Sequence, residues 1–269
     1  MQVKTLETHF RIASAITLVC ALCASHVRAV NLMEDHFAYT VGDLDGQGGW
    51  TNRNSTTPFT QVVAGSLSYP GLPGIAGEKI QQDLDINNGV QKNHTAVTLA
   101  DGESIYLSFL VNVQDAPTAT NGVDLAQFRA GTNGAARVVV READASNFRL
   151  GARCYNSTAA NSTWGTTSLP YNTVIHVVLS YDRIAGTAND RASVWVNPPL
   201  GSSTPPAAYV TDFPTDTEIG SATSFNLIFL GPDQDVTGGP FWAQWDEVRI
   251  SKTWSDVVVP VTLSSFAVE

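Results

Sequence analysis

Phe241-Trp242-Ala243-Gln244-Trp245-Asp246-Glu247-Val248-Arg249-Ile250-Ser251 is an aromatic and β-branched run with two adjacent carboxylates inside it. A strand shows successive side chains on opposite faces, so this composition suits a pleated sheet covered by other layers. About fifty residues upstream, Ala192-Ser193-Val194-Trp195-Val196-Asn197-Pro198-Pro199 is a second run of the same character. Together they predict a β-sandwich. In a regular strand Asp246 and Glu247 point to opposite sides, and only a bulge would bring them together.

Working outward, alternation dominates the chain and helical periodicity is nearly absent. Ile105, Leu107, Phe109, Val111 and Val113 share one strand face, with Ser108, Asn112 and Gln114 opposite. Phe148, Leu150, Ala152 and Cys154 alternate with Arg149, Gly151 and Arg153, which places Cys154 in the core as an apolar residue. Residues 173–181 are apolar at nearly every position, as expected of a strand covered on both faces, with His176 as a hydrogen-bonded core histidine. Further strands are expected at 32–40, 62–69, 79–86, 123–129, 137–141, 191–197, 225–230 and 241–251. Turn clusters such as Asn87-Asn88-Gly89, Asn121-Gly122 and Gly238-Gly239-Pro240 punctuate them. The expectation is an all-β, two-sheet antiparallel β-sandwich of jelly-roll type.

The first 29 residues read as a signal peptide. Lys4 and Arg11 form a basic start, residues 12–24 an apolar run, and Val27-Arg28-Ala29 a small-residue cleavage site. The run falls short of the roughly 20 residues that span a bilayer, so no membrane span is expected after cleavage. Bacterial export, to the cell surface or the medium, follows. Removing the leader takes three of the 15 basic residues and one of the 25 acidic ones, leaving a net charge of −12 on 240 residues. Such a chain is not expected to bind nucleic acid or anionic lipid, whose phosphates need Lys and Arg clusters. Cys154 is then the only cysteine, so no intrachain disulfide forms and stability rests on the core. Residues 30–257 are expected to form one domain, with 258–269 as a linker or the start of a following segment.

Trp245-Asp246-Glu247-Val248-Arg249-Ile250 resembles the last core strand of concanavalin A-like, laminin-G-type jelly rolls. Val177-Val178-Leu179-Ser180-Tyr181-Asp182 and Val194-Trp195-Val196-Asn197-Pro198 resemble the two strands before it in exported bacterial members. The opening Glu34-Asp35-His36-Phe37-Ala38-Tyr39 and Gly46-Gln47-Gly48-Gly49-Trp50 is similar too, and the tail from Val259 to Phe266 resembles segments that follow such domains in multidomain surface proteins. The resemblance implies a lectin-like module binding extracellular polysaccharide or cell-surface glycan. Its alternatives are a structural or assembly module and a diverged polysaccharide hydrolase or lyase.

Laminarinase-like members carry Glu-x-Asp-x-x-Glu, which sets catalytic carboxylates on one strand face; no such run occurs here. Glu142 and Asp144 have the right alternation but begin a turn. A structural calcium ion is implied where first and last strands meet, with Glu34, Asp43, Asp45 and Asp246 as its ligands. Asp233 and Asp235 form a weaker second loop. For glycan contact, an aromatic face beside polar groups is needed. Trp164, in the polar loop Asn161-Ser162-Thr163-Trp164-Gly165, is the best candidate, with Tyr155 as its neighbour in sequence. The sequons at Asn54, Asn93, Asn156 and Asn161 are loop composition in a bacterial exporter.

Overall fold

A computed structural model describes residues 31–53, 60–72, 77–83, 89–131, 133–155, 162–214, 218–232 and 239–258. The chain opens with β1 (Met33–Asp35), β2 (Gly42–Asp43), β3 (Trp50–Asn52), β4 (Gln61–Ala64), β5 (Glu78–Asp83) and β6 (Val90–Val97). The long β7 (Ser104–Asp115), β8 (Val123–Ala130), β9 (Asn133–Asp144) and β10 (Asn147–Cys154) follow, then the short β11 (Thr163–Trp164) and β12 (Leu169–Pro170). β13 (Val174–Asp182), β14 (Arg191–Val196), β15 (Val210–Asp212), β16 (Phe225–Leu230) and β17 (Trp242–Ser251) lead into α1 (Trp254–Val258).

All pairings among these strands are antiparallel and form two sheets. The first has the order β15-β14-β13-β7-β17-β5-β4-β2, with β1 also on β17. The second runs β11-β10-β9-β8-β16-β6-β3, with β12 on β10. The protein is a two-sheet jelly-roll sandwich, as its alternation predicts. Leu107, Phe109 and Val111 of β7, Val177 and Leu179 of β13, and Trp245, Val248 and Ile250 of β17 form the inner face of the first sheet. Phe128, Val138, Val140, Phe148, Leu150 and Ile228 belong to the same core from the second. Each large side chain so buried contributes about 1.5–3 kcal/mol before entropy is counted. Cys154 is buried in this core, and burial pushes its thiol pKa up.

Several expected strands shorten where the backbone turns left-handed. Phe37 takes φ 51° just beyond β1, and Gly65 takes φ 82° directly after β4. Polar β6 carries too few apolar residues to declare its period, and β2, β3, β11, β12 and β15 are too short to show one. At the β1 end a buried carboxylate ties three strands. Asp35 accepts from the Phe37 amide at 2.9 Å, the Tyr39 hydroxyl at 2.7 Å, the Trp50 indole at 2.8 Å and the Lys92 ammonium at 2.5 Å.

The outer face of the first sheet is closed. Trp254 of α1 packs on Trp195 at 4.9 Å and Tyr106 at 5.7 Å, with Val178, Val257 and Val258 beside them. Leu67 and Leu72 cover Leu110 further along. This is why residues 174–182 are apolar on both faces. His176 is buried on this side, near Tyr69, rather than between the sheets. Val258, the first residue of the expected linker, belongs to the packed layer; 259–269 and the expected leader at 1–29 lie outside the described residues. No helix among the described residues is long and apolar enough to cross a membrane.

Candidate functional site

The outer face of the second sheet is built differently. Because Phe148, Leu150 and Ala152 face the core, period two turns Arg149, Gly151 and Arg153 outward. On β9 the same phase sends Arg137, Val139 and Arg141 outward. A register shift in β8 between Asp124 and Ala126 lets Asp124 and Gln127 share that face. Pairing then aligns Arg153, Arg137, Gln127, Phe229 and Gln91 in one row across five strands.

Asp124, Gln127, Arg153 and Phe229 form a buried floor, while Arg53, Arg129, Arg137, Arg141 and Arg149 are half-buried around it. Asp124 is bonded by Arg153 and lies 3.6 Å from the Arg137 Nε, which also approaches the Gln127 Oε1 at 3.3 Å. Burial lowers the Arg153 pKa and the Asp124 charge opposes that shift. Two buried donors, Gln127 Nε2 and Arg153 Nε, have no hydrogen-bond partner among the described residues. The guanidinium carbons of Arg129 and Arg53 lie 4.8 and 4.9 Å from the Phe229 ring centre.

Trp164 lies on this face at one end of the floor. It pairs with Gly151 through β11, and a Cβ at Gly151 would stand 3.0 Å from its ring. A Cβ at Gly122 would stand 2.6 Å from it. The indole therefore sits on bare backbone, and the Arg141 guanidinium lies 4.2 Å from its centre on a side chain that donates to the Thr120 carbonyl at 2.8 Å. Tyr155 packs against the main core. Sequence reasoning passed over the arginines and Gln127. The available signal was the repeat Arg137-x-x-x-Arg141 and Arg149-x-x-x-Arg153, in opposite phase to the apolar residues.

The carboxylates named for calcium lie elsewhere. β17 has the bulge that changes the Asp246–Glu247 geometry: its pairing slips between Asp246 and Arg249, and Glu247 takes φ 53°. Glu247 then bonds Arg249 at 3.0 Å and lies 3.0 Å from His36 Nδ1, on the side that Asp246 also faces. Asp246 accepts from the Leu67 and Glu247 amides, each at 2.8 Å. Burial outweighs those two amides and raises its pKa to about 7. The hydrogen bond to Glu247 raises the pKa of His36, while burial lowers that of His176 to about 4.

Glu34 is held by Arg249 at 2.9 Å, Asp45 accepts from the Asn52 amide at 2.8 Å, and Asp43 is exposed on β2. Among the described residues no group of three or more His, Cys, Asp or Glu side chains is arranged for a metal ion. Asp246 is buried, and each of its two carboxylate oxygens already accepts a backbone amide. Asp233, Asp235 and the sequons at Asn54, Asn156 and Asn161 lie outside the described residues; Asn93 is exposed on β6.

No family model matches the chain, and no curated protein sequence matches it. Solved structures similar to it include domain 4 of an extracellular arabinanase from Geobacillus stearothermophilus, in complex with arabinotriose. That match has a TM-score of 0.47 at 15% identity and covers 86% of this chain and 98% of that one. An alginate lyase in complex with alginate trisaccharide aligns at TM-score 0.45 and 12% identity, covering 82% and 97%. An endo-1,3-β-glucanase from Streptomyces sioyaensis aligns at 0.43 and 12%, covering 82% and 95%. Likeness at this level bears on neither ligand nor chemistry.

Proposed function

We propose that this chain is an exported, lectin-like module that binds carbohydrate on the outer face of its second sheet without cleaving it. The observation that carries the reading is the row of Arg153, Arg137, Gln127 and Phe229, flanked by the seated indole of Trp164. Sugars stack their C–H faces on exposed aromatic surface and bond amide and guanidinium groups at their edges; the half-buried Trp164 offers the first and the half-buried arginines of the row the second. Cleavage asks for more. Hydrolysis needs two carboxylates flanking one bond, and β6, β8, β10, β16 and β9 up to Arg141 carry only Asp124, already held by two arginines. No histidine or tyrosine occupies an outward position on these strands to act as a base. Export through residues 1–29 places the module where polysaccharide is met.

Affinity electrophoresis of the full chain through gels containing soluble polysaccharides tests the reading, with a reducing-end assay on the same mixtures. Retardation by at least one polysaccharide, with no new reducing ends, is expected. Free migration in every gel would overturn it.

A further inference from the structure

We infer that the ligand of this face is an acidic glycan, its carboxylates or sulfate esters held by the arginine row; this rests on the reading that the face binds carbohydrate. The distribution of charge supports the inference. Nine arginines follow the expected leader, and six of them, Arg53, Arg129, Arg137, Arg141, Arg149 and Arg153, stand on this one face of an otherwise acidic chain. Asp124 balances one positive charge, and Asp144, at the end of β9, lies near enough to Arg149 to feel it. Among the described residues of β8, β9 and β10, Arg137, Arg141, Arg149 and Arg153 outnumber these two carboxylates.

Burial adds a second observation. Arg153 is 4% exposed and Gln127 fully buried, and each keeps a donor that no described residue satisfies. Buried donors without acceptors are costly, and an anionic oxygen bonded to them relieves that cost. A neutral sugar offers hydroxyls to the same donors and gains nothing from the excess charge. Guanidinium forks suit carboxylate and sulfate oxygens because their N–H groups are planar and fixed in geometry. Stacking on Phe229 and Trp164 restrains Arg129, Arg53 and Arg141, so the charges are presented in set places.

The test is a binding panel on the full chain with polygalacturonate, dextran sulfate, neutral arabinan and single-stranded DNA, at about 0.05 and 0.5 M NaCl. Binding to polygalacturonate or dextran sulfate is expected, weakening about tenfold or more at the higher salt, with arabinan and DNA at least tenfold weaker. Which acidic probe binds identifies the anion as carboxylate or sulfate. Arg137→Gln and Arg129→Gln, both at half-buried positions, should each weaken acidic-glycan binding at least threefold, with a thermal melt confirming the fold. Arabinan binding as tightly as the acidic probes, without salt dependence, would overturn the acidic class and leave carbohydrate binding intact. DNA bound as tightly as glycan would overturn the assignment to sugar. Folded Arg137→Gln and Arg129→Gln variants that bind acidic glycan unchanged would overturn the role of the row, and no binding to any glycan would remove both readings.

Discussion

The two outer faces of the sandwich use one strand pattern for opposite ends. On the first sheet the outward positions Tyr106, Leu110, Val178 and Trp195 are apolar, and α1 and the segment around Leu67 close over them. The ionisable groups there, Asp246, Glu247, Arg249 and His176, are sealed in. On the second sheet the outward positions carry arginine, amide and a single carboxylate, and the rim stays half-exposed. Which face is closed and which can meet a ligand follows from the residues in the outward phase, since both sheets share the same inward chemistry. A net charge of −10 averages over this one-sided distribution and conceals it.

The largest effect that separates the faces should come from the cover. Trp254→Ala strips the ring that packs on Trp195 and Tyr106, and loss of a buried tryptophan costs about 3–5 kcal/mol. Urea unfolding should report that loss while glycan affinity stays unchanged; a parallel drop in affinity would show that the faces are coupled. Next comes pH. Asp246 is raised to about 7 in the folded state, so between its ordinary value and 7 the folded chain holds a proton that the unfolded chain has released. Its contribution is full below about pH 4 and is lost as pH rises through 7, a fall of roughly 2–4 kcal/mol. His36, raised by Glu247, adds a fall of the same sign above its ordinary value. Urea midpoints at pH 5 and 8 should differ in that direction, and Asp246→Asn should flatten the difference; an unchanged slope in the variant would assign it to other groups.

On the second face the expected effects are smaller and appear in binding. Trp164→Ala should weaken glycan binding about tenfold, roughly 1.4 kcal/mol, with little change in urea midpoint. Undiminished titration by the retarding polysaccharide would move the contact away from the indole. Smallest of all is the response to chelator. EDTA should leave the melting temperature unchanged, and a fall of more than about 3 °C, near 1 kcal/mol for a domain of this size, would restore a structural cation.

The sequence made the core legible because burial on one side forces alternation, as β7 and β10 show. It left β6 unread, since a strand with Lys92 and His94 at inward positions hides its period. A regular strand sets the adjacent carboxylates of β17 facing apart, and the bulge that turns them to one side depends on long-range pairing with β7. Trp164 stands out in the sequence because its neighbours are polar. The arginine row does not, because Arg153, Arg137 and Gln127 come from three strands and only pairing register aligns them.

The bare backbone at Gly122 and Gly151 also has a thermodynamic consequence. An indole resting on two glycines, with a guanidinium 4.2 Å from its ring centre, has already surrendered its rotameric freedom before any ligand arrives. Ordering a large side chain on association ordinarily costs about 0.5–1.5 kcal/mol, and here that cost was met during folding. Alanine at either glycine should unseat the ring and return the entropic cost to the binding step, so the two smallest residues on the face set how tightly its largest one can hold.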